Sequence, residues 1–561
     1  SRTPTATGTI DSVVNTVIGS VSPSSAIEFF NGLVDEPQIF DRGLSAAEVA
    51  SLYHHQSLVV TNINDSGTGS LREAITTANG IVGPQVPHIV FNIPGAGPHT
   101  IATASPLPTI TRPVVIDGST EPGYAGSPVV GIDGSGAGLG TNSLYLTGGS
   151  SLIRGLQIAG FAGDNILIET LGGNRVAGNY IGVNFAGDTP INGGGSAIRI
   201  HESVSNVIGG TTGTTPGGPC TGDCNVIVGR ASGAGVFIHS DGPVNSPTTV
   251  NNQVLGNYIG TDVTGTTGLA ALNAYGVHTI HADNLVIGDG TPAGRNVISG
   301  NNTGIILQSA FASVRGNYIR TNATGTAAIV NTAGGINNQN SGLLINGDGN
   351  LVGANLVSGS GGGGSTAIHF VNANNNTLRG NTIGLNALGT AAVPNGLGIY
   401  LGPDTSGNTI GGTTAGARNV ISGNLLDGVY LQTATAANNI VRGNYIGTNA
   451  AGTAGMGNGG AGVLINGATN TTVGGTAPGE GNVISGNADG VSVSNTTSVV
   501  ILGNIIGLAA NGDNAIGNTS AGVRTANAGF IVGGSQPGAR NIISGNGNGV
   551  LFSNSGLPYT S

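Results

Sequence analysis

Charge is what this sequence most conspicuously lacks. Of 561 residues, 16 are basic and 26 acidic, 7% in all, where an ordinary globular domain carries about a quarter. Lysine is missing altogether, so every basic residue is an arginine, and there is no tryptophan. A net charge of −10 with no arginine cluster excludes a nucleic-acid-binding surface, which needs concentrated positive charge against phosphate. No apolar run approaches the ~20 residues of a membrane-spanning helix. What is abundant is glycine, 104 residues, but never at every third position, which excludes collagen. The 38% hydrophobic content falls in short, regular Val/Ile pairs. That regularity argues against disorder and for a folded, repetitive, all-β chain.

Two pentapeptide signatures alternate along the chain. Gly-Asn-Tyr-Ile-Gly, or a close variant, puts its asparagine at Asn179, Asn257, Asn317, Asn381, Asn444 and Asn504. Asn-Val-Ile-Ser-Gly, or a variant, starts at Asn225, Asn296, Asn355, Asn419, Asn482 and Asn541. Each signature is followed by a small residue and an apolar alternation, as in Gly235-Val-Phe-Ile, Gly304-Ile-Ile-Leu and Gly462-Val-Leu-Ile. The unit is therefore about 32 residues long and is used twelve times in odd–even pairs. Its apolar runs are too short for helices and are bounded by Gly, Asn, Ser and Thr, the pattern of strands between turns. A unit this small cannot bury its own apolar face, so units must stack. Four-stranded propeller blades need more residues. A parallel β-helix of twelve or more coils fits, about 60 Å long at the ~4.8 Å strand spacing.

Glycine and asparagine tolerate the left-handed backbone of a sharp corner. Asparagines repeated from coil to coil can bond to one another, so the six odd-coil asparagines are expected to form a structural turn ladder. The tyrosines that follow them (Tyr180, Tyr258, Tyr318, Tyr445) are read as a stacked column ahead of a sugar-binding strip, because Thr382 and Ile505 replace them elsewhere. Cys220 and Cys224 read as a local disulfide of an oxidising compartment ahead of free thiols, with no further ligands nearby for zinc. Sparse charge points the same way, to an extracellular or cell-surface location. No signal peptide is visible at Ser1, so the chain reads as mature or excised from something longer.

The first 150 residues differ. Ser45-Ala-Ala-Glu48 and Ser70-Leu-Arg-Glu73 are capping boxes opening two short helices, the second with apolar Leu71, Ala74, Ile75 and Ala78. An open β-helix end exposes core and strand edges, and the helix from Ser70 is the expected cap. The expected division is a segment 1–57, a capping region 58–150 and paired coils over 151–561.

The run Val60-Thr-Asn-Ile-Asn-Asp-Ser-Gly-Thr-Gly-Ser-Leu-Arg-Glu-Ala-Ile-Thr-Thr-Ala-Asn79, with the two coil signatures, resembles bacterial surface proteins with right-handed parallel β-helix repeats. The likeness covers about residues 58–561 and implies the fold, not an activity. Residues 29–53, from Phe29-Phe-Asn-Gly-Leu-Val-Asp-Glu to Leu52-Tyr53, resemble the closing segment of a laminin-G/concanavalin-like lectin domain. That implies a partial β-sandwich whose binding loops would lie upstream, and a chain that begins within a domain.

Enzymes on such a fold, the resemblance implies, act on acidic polysaccharides with acids beside Arg, Lys, His or Tyr on one long face. Only one region of this sequence clusters such residues. Aligning the coils puts His201 and Glu202, then His239 and Asp241, then His278, His281 and Asp283 on three successive turns, with Arg199 beside the first. Stacked ~5 Å apart, they offer general acid–base groups or ligands for a divalent metal. The plainer account is a row of solvated turn residues, and a slip of one residue would send side chains to opposite faces. On balance the sequence leans away from catalysis. The expected role is a non-catalytic structural or adhesive stalk or fibre subunit, with end-to-end or strand-sharing contacts to further copies and with surface glycans as partners. A polysaccharide lyase, epimerase or glycosidase using the histidine/acid ladder is the alternative, and a glycan-binding module the third reading. No cofactor is expected, with calcium left open.

Overall fold

The computed structural model describes residues 57–191, 193–229, 233–242, 248–269, 274–329, 341–362 and 364–553. Residues 1–57 and 58–561 separate into two compact units, of which the second is described below. The segment up to residue 56, where a partial lectin-like sandwich and a helix from Ser45 are expected, lies outside the described residues.

Residues 58–553 wind into a right-handed parallel β-helix. Three parallel sheets of 16, 15 and 14 strands run its length, and from Val115 on every turn adds one strand to each. One turn, for example, contributes Arg175–Ala177, Tyr180–Ile181 and Ile198–His201; the next contributes Val207–Gly209, Val226–Ile227 and Ala234–His239. The alternation seen in the sequence is the pleat of the third sheet. Ile198 and Ile200, Val236 and Ile238, Ile305 and Leu307, and Ile399 and Leu401 are fully buried, and the residues between them point outward. Stacked on one another they form a single core that continues from Val60 to Val523. Fifteen strands at ~4.8 Å make this unit about 70 Å long.

Helix α1 (Leu71–Gly80) covers the first turn. Ser70 Oγ accepts from the Glu73 amide at 3.2 Å, and Glu73 Oε2 accepts in return from the Gly69 amide at 2.5 Å. Its buried residues are Leu71, Ala74, Ile75 and Ala78, which join the core beside Ile89 and Phe91. The apolar spacing of a short amphipathic helix thus closes what would be an open hydrophobic end.

The two signatures occupy the same place on successive turns, at the corner leading into the second sheet. The asparagine ladder accordingly has twelve rungs, not six. From Asn179 each Nδ2 donates to the Oδ1 of the asparagine one turn on, first Asn225 at 3.1 Å, then Asn257 at 2.8 Å, Asn296 at 3.0 Å and Asn317 at 2.8 Å. The chain of bonds continues through Asn355, Asn381, Asn419, Asn444, Asn482 and Asn504 to Asn541. The expected rungs Asn179, Asn257, Asn317, Asn381, Asn444 and Asn504 are two turns apart and meet only through the asparagines of the second signature. Each amide also reaches a core carbonyl, as Asn225 Nδ2 does with Val176 O at 2.9 Å, which satisfies a polar group buried at 0% exposure.

The odd–even pairing has its own cause. After each odd signature the chain makes a small antiparallel loop, bridged at Val183–Pro190, Thr261–Gly268, Thr321–Ala328, Leu385–Ala392, Thr448–Gly455 and Leu508–Ala515. These loops reach across the intervening even turn and bond to one another, Val263 N to Gly187 O at 2.8 Å and Ala323 N to Gly265 O at 2.8 Å. With Tyr180, Tyr258 and the Cys220–Cys224 disulfide they build a second small apolar cluster outside the second sheet. That face is covered, whereas the third sheet presents its outward side chains to solvent or to a ligand.

Candidate functional site

Strand register decides which of the candidate residues meet. In the third sheet Ile198-Arg-Ile-His201 pairs with Val236-Phe-Ile-His239, so His201 lies opposite His239 and Arg199 opposite Phe237. The preceding turn sets Glu169 against His201. The following turn sets His278 against Phe237 and Ile280 against His239. The expected column of three histidine-bearing turns is thereby corrected: His278 stands on the same face but one column over, because a two-residue offset preserves the face and changes the row. His281 and Asp283 lie past the strand at the corner. His281 has φ +48°, and its Nδ1–H donates to Gly242 O at 3.0 Å. Asp283 Oδ1 accepts from the Ala310 amide at 2.8 Å.

The centre of the site is a ring stack. His201 and His239 lie face to face with centroids 4.3 Å apart and planes 14° apart, and Phe237 stacks on His239 at 4.4 Å. Both His201 nitrogens meet carboxylates, Nδ1 with Glu169 Oε1 at 2.6 Å and Nε2 with Asp241 Oδ2 at 3.1 Å. Carboxylates accept, so both contacts favour the doubly protonated imidazolium form of the ring. Burial pulls the His201 pKa down, but the bonds to Glu169 and Asp241 outweigh it and the net shift is upward. Glu169 is itself lowered: burial raises it, and the Tyr145 hydroxyl and His201 overcome that. Tyr145 donates to Glu169 and is pushed up to about 12 by that bond. His239 goes the opposite way, down to about 4, through burial first and then repulsion from His201 and Arg199. Its Nε2 is buried without a hydrogen-bond partner. The two stacked imidazoles are therefore driven apart in pKa, His201 upward and His239 downward.

The other candidates support this pair. Glu202, at φ +49°, accepts from the Asp241 amide at 2.7 Å and from Ser240 Oγ at 3.0 Å, so it shapes the turn that carries Asp241. Arg199 pairs with Asp164 at 2.9 Å and its guanidinium lies 5.5 Å from the Phe237 ring centre. His278 Nε2–H donates to Gln308 Oε1, 3.2 Å away, and burial lowers its pKa. Sequence reasoning missed Glu169, Tyr145 and Phe237. The signal for Glu169 was present, since Ile166-Leu-Ile-Glu169 repeats the Ile-X-Ile-X of the next strand with the acid where His201 follows.

His201, His239 and Asp241 offer three donor atoms within 4.8 Å of one another. Imidazole lone pairs lie in the ring plane, and two rings stacked face to face send theirs side by side, not to a common point. Calcium, left open above, takes six to eight oxygens, and this cluster supplies one carboxylate, that of Asp241, which already meets His201. The arrangement is better suited to moving a proton than to holding a cation.

No protein-family model matches the chain. Over 154 residues it is 30% identical to proteins described as probable pectate lyase C from Aspergillus fumigatus and from Neosartorya fischeri, a stretch that is 27% of this chain. The chain thus spans about a third (31%) of the length of those relatives. Among solved structures it is similar to the periplasmic alginate epimerase AlgG (12% identity, 91% of this chain and 89% of that one, TM-score 0.32). It also matches the Dettilon tailspike protein (13%, 86% and 69%, TM-score 0.36). At such scores these two carry no weight, and the fold rests on the strand pairing described above. The pectate lyase match overturns the expectation of a non-catalytic stalk or fibre, and adhesive, filamentous and self-assembling roles gain no support.

Proposed function

We propose that this chain is a secreted polysaccharide-active enzyme that takes a uronic-acid polymer and removes the proton from the sugar carbon next to the carboxylate. The observation that carries the reading is the His201/His239 stack, with the pKa of one ring raised and that of the other lowered. Groups whose environments drive their pKa values apart are how a site assigns acid and base. The probable pectate lyases similar to part of the chain support the substrate class. The disulfide and the scarcity of charge support export, and no helix among the described residues is long and apolar enough to cross a membrane.

In this reading His239 accepts the proton. Free, its low pKa makes it a weak base; a bound uronate supplies the negative charge that raises that pKa toward neutrality. As the C–H bond breaks, charge builds on the sugar carboxylate, and the His201 imidazolium and Arg199 stabilise it. Glu169 and Asp241 hold His201 charged and oriented. The electron pair then either forms a carbon–carbon double bond and expels the glycosidic oxygen, which takes its proton from water, or the carbanion takes a proton from water on the opposite face. Elimination and epimerisation share the first step and diverge at the second.

Incubation of the protein with a panel of polyuronates in deuterium oxide tests the shared step. Deuterium at the carbon next to the carboxylate, or an ultraviolet-absorbing unsaturated product, is expected with the unaltered protein and lost with His239→Ala. Absence of both signals on every polyuronate refutes the proposal.

A further inference from the structure

The turns after the histidine pair open into a cleft of about 540 Å³. It is lined by His281, Asp283, Gln308, Phe311, Asn346 and Asp348 among others, and it starts where His281 bonds to Gly242, next to Asp241. Its make-up is unlike that of the histidine site. Among the described residues no arginine lines it, and the acidic groups on its wall are the carboxylates of Asp283 and Asp348, so no permanent cation there faces a sugar carboxylate. Its one phenyl ring, Phe311, is 65% exposed.

Phe311 is held in that exposed position against its own preference. Its φ is +55°, a left-handed conformation that costs a bulky residue on the order of 1–3 kcal/mol. The Phe311 amide donates to Asp348 O at 3.1 Å on the next turn. Gly349, at φ +65°, leaves room for the ring: a Cβ there would come within 2.9 Å of it. Glycine or asparagine takes many of the other left-handed corners, Asn372 and Asn284 among them, and Phe311 is the only phenyl ring so placed among the described residues.

We infer that this cleft is a subsite for an uncharged sugar residue, with Phe311 as the platform for the apolar face of the ring and the carboxylates and amides as acceptors and donors for its hydroxyls. Planar aromatic faces suit the C–H face of a pyranose, and a few convergent polar groups fix orientation. The inference rests on the polysaccharide reading of the same face and deepens it: the natural substrate carries neutral sugars beside its uronic acids, as a heteropolymer or branched chain.

Isothermal titration of the full chain with uncharged tetrasaccharides of galactose, glucose and arabinose, and separately with an oligouronate, tests it. At least one neutral probe is expected to bind with a Kd of about 1 mM or tighter. Phe311→Gly should weaken that probe about tenfold or more, while circular-dichroism melting stays at or above that of the unaltered protein, because glycine relieves the strained φ. Phe311→Tyr should retain binding. A panel in which no neutral probe binds, or a Phe311→Gly protein that binds as before, overturns the inference. The deuterium experiment is read independently: exchange without neutral-sugar binding sinks only the subsite, and neutral-sugar binding without exchange sinks only the catalytic reading.

Discussion

Replacing Asn317 with alanine breaks the asparagine ladder at its middle, where the cost can be worked out group by group. Asn317 Oδ1 accepts from Asn296 Nδ2 at 2.8 Å and from the Asn296 amide at 3.3 Å. Its Nδ2 donates to Asn355 Oδ1 at 3.0 Å and to Ile287 O at 2.7 Å. Asn296 and Asn317 are both fully buried, so no water reaches the groups left behind. Two donors of Asn296 and the Ile287 carbonyl lose a partner, each worth about 1–3 kcal/mol when buried. Local relaxation puts the total near the low end, about 4 kcal/mol. Asn541, the last rung among the described residues, is half-buried; its Oδ1 accepts only from Asn504, and its freed neighbours can rehydrate. Asn541→Ala should therefore cost about 1 kcal/mol. A long solenoid need not unfold in one step, so the readout is native-state hydrogen exchange of the amides of Val297 and Tyr318 against those of Ile505 and Ile506. Equal losses of protection in the two variants would refute the argument that ladder stability comes from burial of paired amides.

Other outcomes follow from the site. Glu169→Gln removes the carboxylate that keeps His201 charged, so the raised His201 pKa falls; activity that needs the imidazolium, lost as pH rises through that pKa, should disappear at lower pH, and an unmoved alkaline limb would contradict the assignment. His239→Ala should reduce turnover of a polyuronate about 100- to 10,000-fold with no loss of melting temperature, measured as initial rate beside a circular-dichroism melt. The Cys220–Cys224 disulfide, four residues apart in sequence, closes a small loop outside the main core. Converting both cysteines to serine should cost about 2 kcal/mol and raise exchange around residues 211–224 while leaving Ile208 and Val254 protected.

Sparse charge and coil regularity describe a rod, but they describe an enzyme's scaffold equally well. What distinguishes the two is a handful of outward residues on one sheet.

The repeat, the strand-and-turn chemistry of each coil, the corner asparagines and the helix from Ser70 were all legible in the sequence. Each depends on local rules: period-two burial, glycine at a left-handed corner, a capping box before an apolar stripe. Which asparagines touch was not legible, because the two signatures look like separate elements until winding puts them on one corner. The histidine site was half legible. His201 and His239 repeat within matching strands, but only register could move His278 to the adjoining column, and only stacking could bring Tyr145 and Glu169 beneath His201. Protonation lies further still from sequence: His201 and His239 are the same residue type on equivalent strands, and they titrate apart because one meets two carboxylates and the other is shut between rings.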